Sequence, residues 1–435
     1  MTIEDIEKIG VIGAGGAGFP SHVKLTSTPE IVIMNAAECE PLLHKDMELI
    51  RHFSDEIVRG LDIVMGITGA REGIIGIKEK HAKEIELLKA KLGGHGNLKV
   101  IAVDDVYPAG DEVTLIYMTT KRIVAPGALP ISVGCVVQNV ETIYNIGLNR
   151  PVTDKFISVV GSVDNPATVQ VPVGMSFAEV LSHFAITTPQ YVVRSGGLMM
   201  GTLEDDLNKV VSKRTGALIV LPADHHCVTM YRRFSTDHAV DVIAKAGCDQ
   251  CSFCTELCPR YLLGQPVRPE SAMRNRMFTR EDFPMLDPGN FSCCECNLCT
   301  MYACPESLDP RGATVMEKRL AREQNIKWTG EVMSVHPMFD YRKVPTKKLM
   351  QRLDVLIFKD EAPLRNMNFD PQKVRIPLDQ HVGSPAKAVV NQGDSVNKYD
   401  LIAKASGRIS TNIHASINGV VQSIAPNEIT TQRNG

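Results

Sequence analysis

The chain has 435 residues, 47 of them basic and 50 acidic, for a formal net charge of −3. This length accommodates two to four domains with sizeable cores, and the near-balanced charge gives no basis for binding nucleic acid or an anionic membrane surface. No apolar run approaches the ~20 residues of a membrane span. The acidic opening residues 2–9 do not read as a secretory signal, so the expected location is the cytoplasm.

Ile3 and Ile6 after Thr2 suit a short capped helix. The densest glycine stretch follows, Gly10-Val-Ile-Gly-Ala-Gly-Gly-Ala-Gly-Phe-Pro20. A Gly-x-Gly-x-x-Gly fingerprint normally sits between a strand and a helix, but Ile9, Val11 and Ile12 are too few for a strand. The stretch therefore reads as a loop whose N–H groups can approach a phosphate or a flat ring, with Lys24 as a nearby cation. A strand is predicted over 31–34, running into Asn35-Ala-Ala-Glu-Cys-Glu-Pro41. Helices are predicted over 45–52, 54–67 and 78–92, and strands over 73–77 and 98–103. This alternation predicts a parallel α/β sheet, whose strand ends are where such folds bind ligands. Tyr107-Pro-Ala-Gly-Asp-Glu112 and Gln138-Asn-Val-Glu-Thr142 supply two further polar loops.

The pattern changes from 151 onward. Strands over 156–163, 168–173, 191–194 and 217–221, with a Ser176…Glu179 capping box before a short helix, suggest a β-grasp unit, expected to act as a spacer rather than a ligand site. His225-His226-Cys227 reads as strand, where neighbours face opposite sides and chelate poorly.

The cysteines carry the strongest signal, with nine of twelve lying between 248 and 304. Cys248, Cys251, Cys254 and Cys258 are spaced x2, x2, x3 and followed by Pro259. Cys293, Cys296, Cys299 and Cys304 are spaced x2, x2, x4 and followed by Pro305. Two such runs indicate two [4Fe–4S] clusters. Zinc prefers two pairs of ligands split by a loop. In two-cluster ferredoxins the fourth cysteine of each run ligates the other cluster, which assigns Cys248, Cys251, Cys254 and Cys304 to one cluster and Cys293, Cys296, Cys299 and Cys258 to the other. Each proline is expected to open a helix, the extra residue before Cys304 to form a bulge, and Cys294 to be a spare thiol. Arg268, Arg274, Arg276 and Arg280 read as a solvated basic group, with helices over 311–323 and 346–353 beyond. From about 374, short strands with Gly-Asp and Asn-Gly turns suggest a small β-barrel or sandwich. The expected architecture is a multidomain α/β and α+β chain. Its domains are an N-terminal α/β domain (1–150), the β-grasp domain (151–222), a ferredoxin-like helical segment carrying two [4Fe–4S] clusters (235–330) and a C-terminal barrel-sandwich hybrid (370–427).

Gly-Gly-Ala-Gly-Phe-Pro, Asn-Ala-Ala-Glu-Cys-Glu-Pro and Asn-Val-Glu-Thr together resemble the NADH-binding flavoprotein subunit of respiratory complex I, and still more the C subunit of the Rnf electron-transport complex. The resemblance implies that FMN binds the glycine loop and later polar loops, with NADH stacked on the flavin. Residue by residue, Gly13, Gly15, Gly16, Gly18, Phe19 and Lys24 would frame FMN and NADH. Asn35, Glu38 and Glu40 would line the flavin pocket, and Gly110, Asp111 and Glu112 would flank the isoalloxazine. Asn139 and Thr142 would reach the phosphate end. Ala14 stands where complex I has Arg. The last domain resembles the biotinyl/lipoyl-like module, but its tip reads Ile417-Asn418-Gly419, without the modified lysine, so no covalent prosthetic group is expected. In the Rnf protein this module lies at the N-terminus. The C-terminal position here, with the cysteine spacing, resembles the propanediol-utilization cobalamin reductases of bacterial microcompartments over nearly the whole chain. That resemblance implies an oxidoreductase. Electrons would pass from NADH through FMN and two [4Fe–4S] clusters to a corrinoid, taking cob(III)alamin through cob(II)alamin to cob(I)alamin for coenzyme recycling in 1,2-propanediol degradation. No side chain is assigned a catalytic role. The implied partners are an adenosyltransferase and microcompartment shell proteins. The competing expectation is a non-catalytic electron-transfer or adaptor subunit of an Rnf-like complex.

Overall fold

The computed structural model describes residues 1–278, 286–326, 328–330 and 334–433. Thr2 and Asp5 cap the short helix α1 (Ile3–Lys8) reciprocally, and Ile6 is fully buried beneath it. The glycine stretch leads into α2 (Ser21–Lys24). In β1 (Ile31–Ala36), Ile31 and Ile33 face one core while Val32, Met34 and Ala36 face another, as the two-residue period of a strand dictates. A strand apolar on both sides must be covered on both sides. The alternation continues through α3 (Lys45–Thr68), β2 (Glu72–Lys78), α4 (Ala82–Lys91) and β3 (Leu98–Val103). β4 (Val106–Tyr107), α5 (Glu112–Thr120), β5 (Cys135–Asn139) and α6 (Val140–Leu148) follow. Four strands pair in parallel in the order β3-β2-β1-β5. α1, α3 and α6 bury Ile6, Leu61, Ile143 and Ile146 on one face, each such side chain contributing roughly 1.5–3 kcal/mol.

Two expectations are corrected in this layer. The helices read over 45–52 and 54–67 are one helix, α3, bent at Phe53 (φ −134°, ψ 33°), whose ring turns towards Tyr144 and Phe156 with centroids 5.1 and 5.8 Å away. The helix read from Lys78 starts only at Ala82. Asp105 and Thr346 each hold the Lys78 amine at 2.9 Å and keep that residue in β2.

A second, mixed sheet follows. β6 (Asp154–Gly161), β7 (Ala167–Pro172), α7 (Phe177–Leu181), β8 (Tyr191–Ser195), β9 (Thr202–Glu204) and β10 (Ala217–Pro222) build the order β7-β6-β10-β8-β9, with β10 parallel to β6 and the other pairs antiparallel. His225-His226-Cys227 is not strand. His225 caps α8 (His226–Arg233), taking the Cys227 N–H at 3.2 Å while its Nε2 lies 3.2 Å from the Asp354 carbonyl. The triplet is structural.

The cysteine runs are carried by α9 (Asp237–Gly247), α10 (Phe253–Glu256), α11 (Pro259–Leu262), α12 (Pro269–Phe278) and α13 (Pro310–Glu323). Pro259 opens α11, but Pro305 lies in a turn, and the next helix starts at Pro310, where the Asp309 carboxylate caps Gly312 N at 2.9 Å. Arg276 is not solvated; it is buried with Asp241 3.7 Å away. Arg280 lies outside the described residues.

From 334 the chain returns across the molecule. His336 N bonds the Leu262 carbonyl, β11 (Val344–Pro345) pairs with β4, and α14 (Thr346–Arg352) follows. Pro363 O accepts from Thr168 N at 3.0 Å, and Leu364 N donates to Glu48 at 2.7 Å. The chain ends in two small sheets around one core. β12 (Lys373–Pro377), β18 (Glu428–Gln432), β17 (Gly419–Ala425) and β14 (Ser395–Val396) pair in that order, as do β13 (Lys387–Ala388), β15 (Leu401–Lys404) and β16 (Ile413–His414). Among the described residues no helix is long and apolar enough to cross a membrane.

Candidate functional site

The glycine stretch is a closed loop. Gly13 N donates to Phe19 O at 2.8 Å, Gly18 N to Gly13 O at 3.1 Å, and a single bridge joins Ile12 to Pro20. The tip, 14–17, lies between these closing bonds. Gly16 has φ +103° with open space where a Cβ would stand, a conformation that suits glycine. The loop is held from below by a polar floor. Thr142 Oγ1 accepts the Ala14 N–H at 2.9 Å, and Lys155 Nζ donates to Ala14 O at 3.1 Å. Asn139 caps α6 and sends its amide to Asp46 at 2.7 Å.

That floor is a fully buried charge network. Lys45 lies 2.6 Å from Asp46 and 3.3 Å from Glu141, and Lys155 contacts Glu141 directly. Phe156 N donates to the second Glu141 oxygen at 3.1 Å. Two cations balance two carboxylates, which is what makes burial of four charges tolerable. Burial pushes Lys155 down to about 8 against the pull of Glu141. Burial also opposes the charge on Lys45, but Asp46 and Glu141 overcome it and hold Lys45 above the usual lysine range. Glu38 is raised by burial and then by Asp46, which favours its neutral form.

Above the floor lies a cavity of about 960 Å³. The first sheet supplies Ala14, Gly15, Gly16, Glu38, Glu40 and Lys45; the second supplies Gly196, Gly197, Thr202 and Arg214; the C-terminal sheets supply Arg375, Gln380 and Glu428. The volume falls in the ~300–1,000 Å³ range of small-molecule sites. Glu40 closes one wall by accepting Met199 N at 2.7 Å and Met200 N at 2.9 Å. A Cβ on Gly197 would collide with its carboxylate. Burial lifts Glu40 to about 7, against the pull of the Met199 N–H. Arg214 Nε donates to Gly16 O at 3.1 Å, which places its guanidinium beside the exposed loop tip. The second sheet, expected to be a spacer, is thus a wall of the cavity.

The cysteines gather in two groups drawn from both runs. Cys248, Cys251, Cys254 and Cys304 line one small pocket. Cys258 lies beside Cys293, and Cys299 is close to both; these thiols are raised by burial first and by one another next. Cys296 is raised by its hydrogen bond with Cys294, then by burial, with Cys258 and Cys299 adding to it. Among the described residues no three His, Cys, Asp or Glu side chains converge closely enough for a single ion; a tetrahedral zinc would need its thiolates about 4 Å apart, from a Zn–S bond of about 2.3 Å. The extra residue before Cys304 is absorbed in a single π-turn over Cys299–Ala303, with Cys304 N bonding Cys299 O at 3.1 Å. Cys294 is half-buried, with Cys296, Arg260 and Asp111 as its electrostatic neighbours.

The model of the Nuo51 FMN-binding domain matches residues 6–148, the 4Fe-4S dicluster domain residues 247–309, and the RnfC barrel sandwich hybrid domain residues 358–434. Cobalamin reductase PduS of Salmonella typhimurium is 41% identical over 438 residues, spanning 99% of this chain and 96% of that protein. The chain belongs to the PduS family. Cobalamin reductase PduS of Citrobacter freundii is 39% identical, again over 99% of this chain and 96% of its own length. The C component of the Na(+)-translocating ferredoxin:NAD(+) oxidoreductase complex of Acetobacterium woodii is 31% identical, covering 63% of this chain and 62% of its own. A solved NAD+-reducing [NiFe]-hydrogenase shares the fold over 76% of this chain and 63% of its own, with a TM-score of 0.51 at 18% identity.

In this PduS-family chain, Gly15, Gly16, Glu38 and Glu40 line the cavity, while the other expected flavin residues stand behind that lining. Gly13, Phe19 and Gly18 close the loop; Asn139 and Thr142 prop it. Asn35 donates to Gly110 O at 2.9 Å, Lys24 pairs with Glu112 at 2.5 Å, and Asp111 caps α5. Lys45, Glu141, Lys155 and Arg214 were not singled out by sequence. The available signal was a lysine inside the apolar run Lys155-Phe-Ile-Ser-Val-Val and a glutamate inside Asn139-Val-Glu-Thr, charges where the strand and helix periods predict core.

Proposed function

We propose that the chain is an NADH-dependent flavo-iron–sulfur reductase that carries electrons to a corrinoid, from cob(III)alamin to cob(I)alamin, within 1,2-propanediol degradation in a bacterial microcompartment. An adenosyltransferase would receive the reduced corrinoid, and shell proteins would enclose the pair. The first sheet is the FMN and NADH domain (1–150), the second a β-grasp domain (151–222), the helical part a ferredoxin-like segment carrying two [4Fe–4S] clusters (235–330), and the last the unmodified barrel-sandwich domain (370–427). The observation that carries the reading is a flavin-sized cavity on the glycine loop, with Tyr107 and Asp111 hydrogen-bonded to the Cys296 carbonyl and to Arg260 beside one of the two cysteine quartets.

When bound, FMN takes a hydride from NADH and yields electrons singly, and the clusters carry them one at a time. The chain's own residues position and enclose. The backbone of Gly15, Gly16 and Ala17 would present N–H groups to a phosphate or ring edge; Arg214 supplies positive charge beside the loop tip, and Lys45 also lines the cavity. Thr142 and Lys155 fix the Ala14 peptide, so the loop does not reorganise as charge moves. Glu38 and Glu40 line the flavin wall, and Glu40 ties it to Met199 and Met200. Cys248, Cys251, Cys254 and Cys304 would hold one cluster; Cys258, Cys293, Cys296 and Cys299 would hold the other.

The test is anaerobic protein reconstituted with iron, sulfide and FMN, mixed with NADH and then with cob(III)alamin. Bleaching of the flavin followed by stoichiometric cobalt reduction is expected. Iron-loaded protein that takes up no flavin would sink the proposal and leave a bare electron relay.

A further inference from the structure

The two cysteine quartets differ in how they are tied to the cavity walls, and the difference orders them. Tyr107 Oη donates to the Cys296 carbonyl at 2.6 Å, and Asp111 accepts from Arg260 at 2.6 Å. These two residues bracket the Ala109–Gly110 loop, and their partners lie in the 258/293/296/299 quartet or two residues from it. On the opposite side, Asn297 donates to the Met199 carbonyl at 3.2 Å, while Met199 N bonds Glu40 on the cavity wall. Cys296 shares one apolar core with Ala37, Cys39, Ala109 and Leu198, which back the cavity. Cys304 and Cys248 belong to a separate core among α9, α12 and α13. Cys251 is exposed, whereas Cys258, Cys296 and Cys299 are buried.

We infer that electrons leave the flavin site through the Cys258/Cys293/Cys296/Cys299 cluster and exit to the acceptor through the Cys248/Cys251/Cys254/Cys304 cluster, with Tyr107 and Arg260 as positioning residues that clamp the inner quartet to the flavin loops. This rests on the proposed NADH and FMN reading. The electron count is closed: NADH gives up two electrons and becomes NAD+, one proton is released, and each cluster takes one electron. The outer cluster passes its electron to cobalt and is refilled from the inner one. One strap on either side of the inner quartet fixes its distance to the cavity, and the exposed face at Cys251 lets an acceptor approach the outer quartet without opening the flavin site.

The test follows each cluster by EPR in anaerobic holoprotein after rapid mixing with NADH. In Cys251→Ala, NADH is expected to reduce the inner cluster at the wild-type rate. In Cys296→Ala, reduction of the outer cluster by NADH is expected to slow by roughly tenfold or more while dithionite still reduces it. Wild-type NADH reduction of the outer cluster in Cys296→Ala would overturn the order, as would loss of NADH reduction of the inner cluster in Cys251→Ala. Arg260→Gln and Tyr107→Phe keep every ligand and cover the case in which a cysteine variant fails to fold. NADH should bleach their flavin at the wild-type rate, with the following cluster reduction slowed by roughly tenfold. Unchanged cluster rates in both would remove the positioning role. If NADH reduces neither flavin nor cluster in wild-type protein that dithionite reduces fully, the parent reading fails rather than the order.

Discussion

Replacing Lys155 with methionine tests whether the glycine loop stands on its buried charges. Lys45 and Lys155 face Asp46 and Glu141, all four almost fully buried. Lys155→Met leaves one cation against two carboxylates. Glu141 keeps Lys45 at 3.3 Å and the Phe156 N–H at 3.1 Å, so it is weakened rather than stranded. Breaking a buried ion pair costs roughly 3–5 kcal/mol, and the retained contacts place this case near 3. The lost donor to Ala14 O adds about 1 kcal/mol. A total of about 4 kcal/mol is a large part of the ~5–15 kcal/mol that holds a domain folded. Adding Glu141→Gln restores one cation to one carboxylate and should recover most of the loss in the ion pair, though not the Ala14 bond. The assay is denaturant unfolding of wild type, single and double variants, followed by far-UV circular dichroism, alongside FMN titration by fluorescence. A single variant within about 1 kcal/mol of wild type, or a double variant less stable than the single, would refute the reasoning.

Thr142→Val keeps the shape but strands the Ala14 N–H, so stability should fall by ~1–3 kcal/mol with weaker FMN binding; a thermal melt and flavin titration that both match wild type would contradict it. Burial alone pushes Lys213 down to about 7, while its amine donates to Gly10 O at 2.7 Å and Asn412 O at 3.3 Å. Because the folded value lies below the unfolded ~10.4, this group's stability contribution is full above that value and lost as pH falls towards 7. Wild type should therefore gain stability from pH 7 to 9 by up to about 1.4 kcal/mol per unit relative to Lys213→Met; parallel unfolding curves at both pH values would refute this. Under the proposed crossed ligation, Cys304→Ala should damage the cluster that Cys248, Cys251 and Cys254 would hold and spare the other by EPR, with the reverse pattern overturning that assignment. Arg214→Ala should weaken cofactor binding without lowering the melting temperature of the cofactor-free protein; unaltered affinity would remove Arg214 from the site.

How much of this was legible in sequence depended on whether the signal was local. The strand over 98–103 could be read because its pattern is self-contained, and the dicluster domain because its cysteine spacing is local to two short runs. The bulge before Cys304 follows from counting one residue too many, although its form, a π-turn, does not. What sequence could not reach were pairings between distant segments. Lys155 with Glu141, Arg260 with Asp111, and Lys213 between Gly10 and Asn412 are each fixed by packing of separate units. The second sheet looked like a spacer because Gly196 and Gly197 bear no side chain to announce a wall, and Arg214 reads as any surface arginine. Pro305 misled because a proline permits a helix start without supplying the cap that Asp309 provides four residues on.

The cavity's third wall, Arg375, Gln380 and Glu428, is made after the other two. Synthesis runs from the N-terminus, and domains fold as they emerge. The glycine loop, the second-sheet wall and both cysteine runs are therefore complete before this third wall can close over the cavity. A flavin can be enclosed only once residues 375–428 have emerged, whereas iron and sulfur can be installed while the ribosome is still short of them. Loading order is thus written into gene order, and a nascent chain stalled before residue 370 should accept clusters yet fail to retain flavin.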